Sequence, residues 1–240
     1  MKRPLPLLVC ILLTAGTSVA AKEKPTFRHT APPDGERPVI VDATIVPVPK
    51  QRNSRDENET VKGGRTPAAW EKKPAKLRQK DRDARWTKKH GQSFFGYKNH
   101  VNADAKHKLI RRYEVTDAAV HDSQQLDGLL SQDNTSADVF ADSAYRSAET
   151  ETKLKAQGYR SRIHTRATRG HPLSSAKQEA NRKKSQVRVR VEHVFGTQQS
   201  SPGGRIVRTI GIIRARAKIG LQNLVYNIRR LVTLERLAAA

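Results

Sequence analysis

Apolar residues in the central part of the chain either alternate with polar ones or run together in short stretches that predict β-strands. The first is PVIVDATIVPVP at 38–49, a β-branched run bounded by prolines, with one acid in its middle. A hairpin is predicted to begin near Phe94, because two β-rich runs, FFGYKNHV and LIRRYEVT, flank the polar NADAKHK. DVFADSAYRS at 138–147 and the later YRSRIHT predict two further short strands.

Apolar residues at helical spacing predict the remaining elements. VTDAAVHDSQQLDGLL places leucines on one helical face, and SAETETKLKAQ fits a short helix. The secondary structure of one basic segment, SSAKQEANRKKSQVRVRVEHVFG, is ambiguous. Its valines alternate with polar residues as in a strand, while Val187, Val191 and Phe195 recur at helical spacing. Its length favours one long basic helix. IGIIRARAKIGLQNLVYNIRRLVTLERL predicts an amphipathic C-terminal helix that begins near Gly220 or one turn earlier.

The order of these elements predicts an α/β domain with a mixed β-sheet flanked by helices and closed by a C-terminal helix. Residues 50–92, after the first strand, are highly charged and have little apolar periodicity. This composition indicates a long basic mobile loop or interaction segment, with simple disorder as the alternative. Trp70 and Trp86 are its expected anchor points.

The N-terminus has a different character. Residues 1–21 combine two basic residues, an apolar run too short to span a membrane and a group of small residues, as in a secretory signal peptide. An incidental apolar helix is the alternative. Residues 22–37 are polar and proline-rich, which indicates a linker. The single cysteine, Cys10, excludes a disulfide framework and a cysteine-ligated metal site.

The net charge indicates a polyanionic partner. The 240 residues carry a formal charge of +23, and nucleic acid is the commonest polyanion that such a protein binds. Aromatic residues make up only 5% of the chain, so contact with backbone phosphates is a better expectation than base stacking. No membrane partner and no small-molecule substrate are expected.

Three acids stand in positions that suggest chemistry. Asp42 lies within an apolar strand, Asp142 at the end of another, and Glu192 on a basic helix. Three carboxylates on neighbouring elements can hold two hard divalent cations such as Mg²⁺. Each acid also has a structural explanation: Asp42 pairing with a lysine, Asp142 capping a helix, or Glu192 pairing with Arg188 at i, i+4. At this level the competing acids are Asp104, Asp117, Asp122 and Asp138.

Several motifs resemble, in order, the catalytic part of bacterial insertion-sequence transposases of the DDE superfamily, in particular the insertion-sequence-five group. The motifs are VDATIVPVPKQRN, PAKLRQKDRDARWTKKHG, FGYKNHV, VTDAAVHDSQQL, ADSAYRS, VRVEHVFG and RTIGIIRARAKIGLQNLVYNIRRL. The resemblance covers residues 38–240 and implies an RNase H-like catalytic domain. It implies that Asp42, Asp142 and Glu192 are the catalytic triad and hold two Mg²⁺ ions, for which Mn²⁺ can substitute.

The implied activity is metal-dependent DNA cleavage followed by strand transfer, and the expected partners are the element ends and the target DNA. A homodimer is implied as the active form. The basic residues expected to contact phosphate are Lys98, His100, Lys184 and Arg188, with solvated surface as the alternative. Two positions depart from the family pattern: Gln199 replaces a lysine and Ser185 a tyrosine, which weakens the expected contacts to the element end.

The family's helical DNA-binding region, expected before the first aspartate, is replaced here by the signal-like segment and the linker. The sequence therefore predicts an N-terminally truncated transposase. A catalytically inactive remnant that binds DNA without sequence preference is the alternative function. A DNA substrate predicts a cytoplasmic protein at the nucleoid, and export as a cationic protein is the minority alternative.

Overall fold

The computed structural model describes residues 38–130 and 136–239, and within them the chain forms six strands and eight α-helices. The strands are β1 (Val39–Pro47), β2 (Arg85–Lys89), β3 (Gln92–Asp104), β4 (Ile110–Asp117), β5 (Asp138–Ala141) and β6 (Arg160–Ser161). The helices are α1 (Arg55–Lys62), α2 (Ala68–Glu71), α3 (Pro74–Arg78), α4 (Leu126–Leu129), α5 (Ala148–Ala156), α6 (Ser175–Arg188), α7 (Arg190–Ser200) and α8 (Ile212–Ala238). Two 3₁₀ turns span Asp122–Gln125 and Ser143–Tyr145. The predicted signal-like segment and linker lie outside the described residues.

The six strands form one mixed sheet, as predicted. β3 is the longest strand and pairs antiparallel with β1, β2 and β4. β5 runs parallel to β1, and β6 runs parallel to β5. The predicted hairpin is confirmed as β3 and β4, and the predicted strands at 38–49 and 138–147 are confirmed as β1 and β5.

Helices pack on both faces of this sheet. Successive side chains of β1 point to opposite faces, because the side-chain period of a strand is two residues. Val39 and Val41 therefore pack with Leu129 and its neighbours on one face. Ile40 packs on the other face with the apolar side of α7, including Val194. The residues predicted to form the buried side of α7 are thus in the core.

The prediction of a loop across residues 50–92 is wrong, since this segment contains α1, α2, α3 and β2. The Ser54 hydroxyl accepts from the Glu57 N–H and the Glu57 carboxylate accepts from the Ser54 N–H, a capping box that starts α1. Trp70 is fully buried, and its Nε1 donates to Glu57 Oε1 at 2.5 Å. The Lys80 ammonium lies 5.0 Å from the centre of the Trp70 ring. Trp70 is thus the anchor that was expected, whereas Trp86 remains 42% exposed.

The predicted single basic helix is divided in two. α6 ends at Arg188 and α7 begins at Arg190, with the 57%-exposed Val189 between them. The Glu192 N–H donates to the Val189 carbonyl, an i−3 bond that tightens the chain at this point. The closely spaced valines are stiff and poor helix formers, which makes this a weak point for a continuous helix.

The C-terminal helix begins earlier than predicted, at Ile212 rather than near Gly220. Asp83, far away in the sequence, accepts a hydrogen bond from the Ile212 N–H at 2.8 Å and satisfies an N–H at the helix start. Several apolar residues along α8 remain about half exposed: Leu221, Leu224, Val225, Ile228 and Leu231. In the described parts of the chain, no helix combines the length and apolar character needed to cross a membrane.

Candidate active site

Asp42 and Asp142 lie next to each other because two parallel strands are in register. Val41 is paired with Ala141 across β1 and β5, and each aspartate is the next residue along its chain. Neighbouring strands are about 5 Å apart, so the backbones carrying the two carboxylates are close. This register joins two residues that are a hundred positions apart in the sequence.

The Asp42 carboxylate is largely buried, and nearby positive charge offsets only part of the cost of burying its negative charge. Burial raises the pKa of Asp42 to about 6, against the opposing effects of the Arg188 guanidinium and the Ala43 N–H. The negative charges of Asp142 and Glu192 raise this pKa further. The three predicted triad residues therefore interact electrostatically around Asp42.

The Arg188 guanidinium binds the carboxylate of Asp42 on β1 instead of pairing with Glu192. Its Nη1 donates to Asp42 Oδ2 at 2.7 Å, and the Arg188 side chain is 25% exposed. The alternative of an i, i+4 ion pair between Arg188 and Glu192 is not found in the described residues, since the helix breaks at Val189 and Arg188 reaches Asp42. Glu192 is exposed in the first turn of α7. The guanidinium therefore offsets part of the charge of the buried aspartate.

Asp142 also has the structural role that was considered for it. Its Oδ1 accepts from the Ala144 N–H and so caps the 3₁₀ turn Ser143–Tyr145. The cap fixes the direction in which the chain leaves β5. One carboxylate oxygen of Asp142 is used in this contact.

Tyr145 is a candidate site residue that the sequence reasoning missed. The ring is 1% exposed, and its hydroxyl is buried without a hydrogen-bond partner among the described residues. Burial raises the pKa of Tyr145 well above its usual value, and the charges of Asp42, Asp122 and Asp142 act in the same direction. Its place in ADSAYRS, three residues after Asp142, is the signal that could have identified it.

The two β3 residues predicted to contact phosphate are held inside the protein. His100 is fully buried, and its Nε2 lies 2.9 Å from Thr116 Oγ1. Burial lowers the pKa of His100 to about 4, so the imidazole is neutral at pH 7. The Lys98 ammonium lies 2.8 Å from Asp122 Oδ1 and donates to the Val120 carbonyl. Burial thus contradicts the predicted contact of His100 with phosphate. The positive charge of Lys98 is already paired with the carboxylate of Asp122.

Lys184 is near the site but also has a structural contact. Its Nζ donates to the Ile163 carbonyl at 2.8 Å, and burial lowers its pKa. One residue later, the Ser185 hydroxyl lies 3.2 Å from Nε2 of His164. Burial lowers the pKa of His164 as well, and the Arg188 charge adds to this effect. Together these contacts attach α6 to the chain that follows β6.

Three of the competing acids have local structural partners instead. Asp104 accepts two N–H bonds in the turn between β3 and β4, and Asp117 accepts the Ala119 N–H. Asp138 forms ion pairs with Arg160 of β6 and with Arg162, which follows that strand. Asp122 is the exception, because it lies near Tyr145 as well as Lys98.

The donor set suits a hard divalent cation. Asp42, Asp142 and Glu192 supply only carboxylate oxygens, and like charge already raises the pKa of the buried one. Within residues 38–130 and 136–239, no three acidic, histidine or cysteine side chains are gathered as a preformed metal cage. The fit to a divalent cation therefore rests on the oxygen chemistry of the three carboxylates and not on a preformed cage.

Comparison with known proteins places the chain in a family context. The family described as "Transposase DDE domain" matches residues 33–228. The "Transposase for insertion sequence element IS1106" of Neisseria meningitidis serogroup B is 32% identical over 193 residues. That alignment covers 79% of this chain and 63% of the relative, so the chain spans less than two thirds of that protein. No solved structure shows a significant match.

Proposed function

This chain belongs to the family of transposase DDE domains of insertion sequences, and from that membership we propose that it cleaves DNA at the ends of an insertion sequence and transfers the freed strand to target DNA. The observation that carries the proposal is the register of β1 and β5, which pairs Val41 with Ala141 and so brings Asp42 beside Asp142. Glu192 is on α7, which packs against the same sheet. The resemblance of their motifs to those of the family supports the proposal that these acids are the catalytic triad. The proposed substrate is chromosomal DNA, and the proposed location of the protein is the cytoplasm.

We propose that residues 38–240 form one RNase H-like catalytic domain. The strand order supports this assignment, because β4, β3 and β1 are antiparallel neighbours and β5 and β6 follow in parallel. The acids also support it: one is on the first strand, one follows β5, and one is on a helix packed against the sheet.

In the proposed reaction, Asp42, Asp142 and Glu192 hold divalent cations of the kind this family uses, Mg²⁺ or Mn²⁺. Cations held there would supply activation of the attacking water or 3′-hydroxyl and stabilisation of the leaving oxygen. Asp42 must be ionised for this role, which its pKa of about 6 permits at neutral pH. The ion pair with Arg188 helps to keep it ionised.

Arg188 and Lys184 are the proposed phosphate contacts. Arg188 uses Nη1 on Asp42, and 25% of the side chain that carries this guanidinium is exposed. A scissile phosphate near Asp42 would accept a charge-assisted hydrogen bond from this group. Lys184 lies one helical turn before Arg188 and adds positive charge on the same face. As the resemblance implies, two copies of the chain are proposed to act together on the two element ends.

The test is strand cleavage of DNA that carries the element ends, with Mg²⁺, with Mn²⁺ and with EDTA. We expect nicking that requires the cation and that is lost in Asp142→Asn. Asp127→Asn removes an exposed acid from α4 and is the matched control with unchanged activity. Cleavage by Asp142→Asn at the wild-type rate would refute the proposal. Metal-independent DNA binding without cleavage, steeply weakened by salt, would establish the alternative of an inactive DNA-binding remnant.

A further inference from the structure

Tyr145 is a core residue with a polar atom that packing does not require. Its ring is 1% exposed and lies in the same cluster of buried side chains as Val41 and Ala141. The hydroxyl at the end of the ring is buried and has no hydrogen-bond partner among the described residues. A phenylalanine would fill the same space without burying an unpaired donor, which costs folding free energy. A buried group of this kind requires an explanation, and a role in the site is one.

The position of Tyr145 connects it to both aspartates. Val41 and Ala141, which pack in the same cluster as its ring, are paired across β1 and β5. They immediately precede Asp42 and Asp142. The Tyr145 N–H donates to the Asp142 carbonyl at 3.2 Å, in the 3₁₀ turn that leaves β5. Burial raises the pKa of Tyr145 well above its usual value, and among the charged groups Asp42 adds most to this effect. The unused donor is therefore within the influence of the Asp42 carboxylate.

The Asp42 carboxylate has room for a further donor. Its Oδ1 accepts from the Ala43 N–H at 2.8 Å, and its Oδ2 accepts from Arg188 Nη1 at 2.7 Å. An ionised carboxylate offers about four acceptor positions on its two oxygens. A hydroxyl can therefore bind Asp42 without displacing the Ala43 N–H.

Arg188 is the one of these two donors that has a second use. In the proposed function it contacts the scissile phosphate, and 25% of its side chain is exposed. A guanidinium that turns towards a phosphate gives up at least part of its hydrogen bond to Asp42. The largely buried carboxylate then loses the cation that offsets its charge, and this loss is costly unless another donor takes over.

We propose that the Tyr145 hydroxyl is this donor, and that it binds the Asp42 carboxylate when Arg188 moves to the scissile phosphate. In the free protein Arg188 holds the carboxylate, and the hydroxyl is unused. In the complex with DNA the hydroxyl keeps the carboxylate in place. Tyr145 is thus a positioning residue, since it acts on the DNA only through Asp42. This inference rests on the proposed function and deepens it.

A comparison of stabilities tests the exchange without DNA or cation. Wild type, Tyr145→Phe, Arg188→Met and the double variant are unfolded in urea at pH 8 in EDTA. In the wild-type background, Tyr145→Phe should leave the urea midpoint unchanged or raise it, because the hydroxyl that it removes is unpaired. In the Arg188→Met background the hydroxyl is the replacement donor to Asp42. Its removal there should increase the equilibrium constant for unfolding about tenfold, as expected for a hydrogen bond to a charged group.

Tyr226→Phe is the matched control. The Tyr226 hydroxyl is already paired in the free protein, because it donates to the Lys108 carbonyl at 2.7 Å. Its removal should therefore lower the urea midpoint, and by the same amount with Arg188 and with Met at position 188. Circular dichroism spectra verify that every variant is folded before unfolding begins.

The exchange also predicts an effect on DNA cleavage. With Mg²⁺ and saturating DNA that carries the element ends, single-turnover cleavage by Tyr145→Phe should be about tenfold slower than by the wild type, because Asp42 is less well positioned. Tyr226→Phe should cleave at the wild-type rate. A purely structural residue would lose stability and cleavage together, whereas Tyr145→Phe should lose cleavage alone.

The outcomes separate this inference from the proposed function. A stability effect of Tyr145→Phe that is equal in the two backgrounds would overturn the inference, because the hydroxyl would then act independently of Arg188. Cleavage by Tyr145→Phe at the wild-type rate would overturn it as well. Either result leaves the transposase proposal intact. If Tyr145 and Arg188 are coupled in stability but the wild type does not cleave DNA, the proposed function fails and the pairing of Tyr145 with Asp42 stands.

Discussion

Replacing Asp42 with asparagine should make the protein more stable while abolishing its activity. The carboxylate is only 15% exposed, and its pKa is raised from the ordinary 3.8 to about 6. That difference means that the folded protein disfavours the ionised form by about 3 kcal/mol relative to the unfolded chain. Asparagine keeps the shape of the neutral acid, although it has one accepting oxygen where the carboxylate offers Oδ1 to the Ala43 N–H and Oδ2 to Arg188.

The stability difference between Asp42→Asn and the wild type should increase with pH in favour of the variant. Below pH 3.8 the carboxyl group of Asp42 is protonated in both states, and the variant gains nothing. Between pH 3.8 and about 6 the unfolded chain loses this proton first, so the wild type loses stability relative to Asp42→Asn as the pH rises. Above about pH 6 the difference levels off, at about 3 kcal/mol in favour of the variant.

Urea unfolding of both proteins at a series of pH values from 4 to 8 measures this difference. EDTA is present throughout, because a cation bound to the native wild type would stabilise it. Asp127→Asn, which removes an exposed acid, controls for the change in net charge. A difference between wild type and Asp42→Asn that does not vary with pH would refute the reasoning. So would a wild type that is the more stable protein at pH 8.

Two further changes test the contacts around this site. In Arg188→Met, loss of the compensating charge should raise the pKa of Asp42 above about 6. The acidic limb of the cleavage–pH profile should then move up by about one pH unit, and Arg188→Lys should partly restore it. An unchanged profile would show that the ion pair does not control Asp42. In Asn223→Leu, the buried amides of Asn99 and Gln198 lose their partner. Urea unfolding should show a loss of about 2–4 kcal/mol, and a change below 1 kcal/mol would contradict the importance of this network.

The local parts of the fold could be predicted because they depend on short-range patterns. β1 follows from a β-branched run between prolines, and the hairpin of β3 and β4 from two such runs around a polar turn. The buried side of α7 follows from helical spacing. The three acids were identified from their positions in these patterns and from the family motifs.

Other features were mispredicted because distant residues determine them. Charge and weak periodicity suggested a loop at 50–92, but burial of Trp70 against Glu57 orders the segment. The start of α8 depends on Asp83, which lies more than a hundred residues before it. His100 resembled a surface cation in the sequence, and only packing shows that it is buried and neutral.

The sequence by itself determined the kinds of elements, their order, the basic character of the chain and its resemblance to a family. These properties are encoded by residue type and by spacing over a few positions. The tertiary structure alone decided that Val41 pairs with Ala141, that Arg188 binds Asp42 rather than Glu192, and that Asn99 and Gln198 both bind Asn223. Such contacts depend on strand register and helix packing. Both are fixed by the whole core, because a shift of one residue would turn every side chain of β1 to the opposite face.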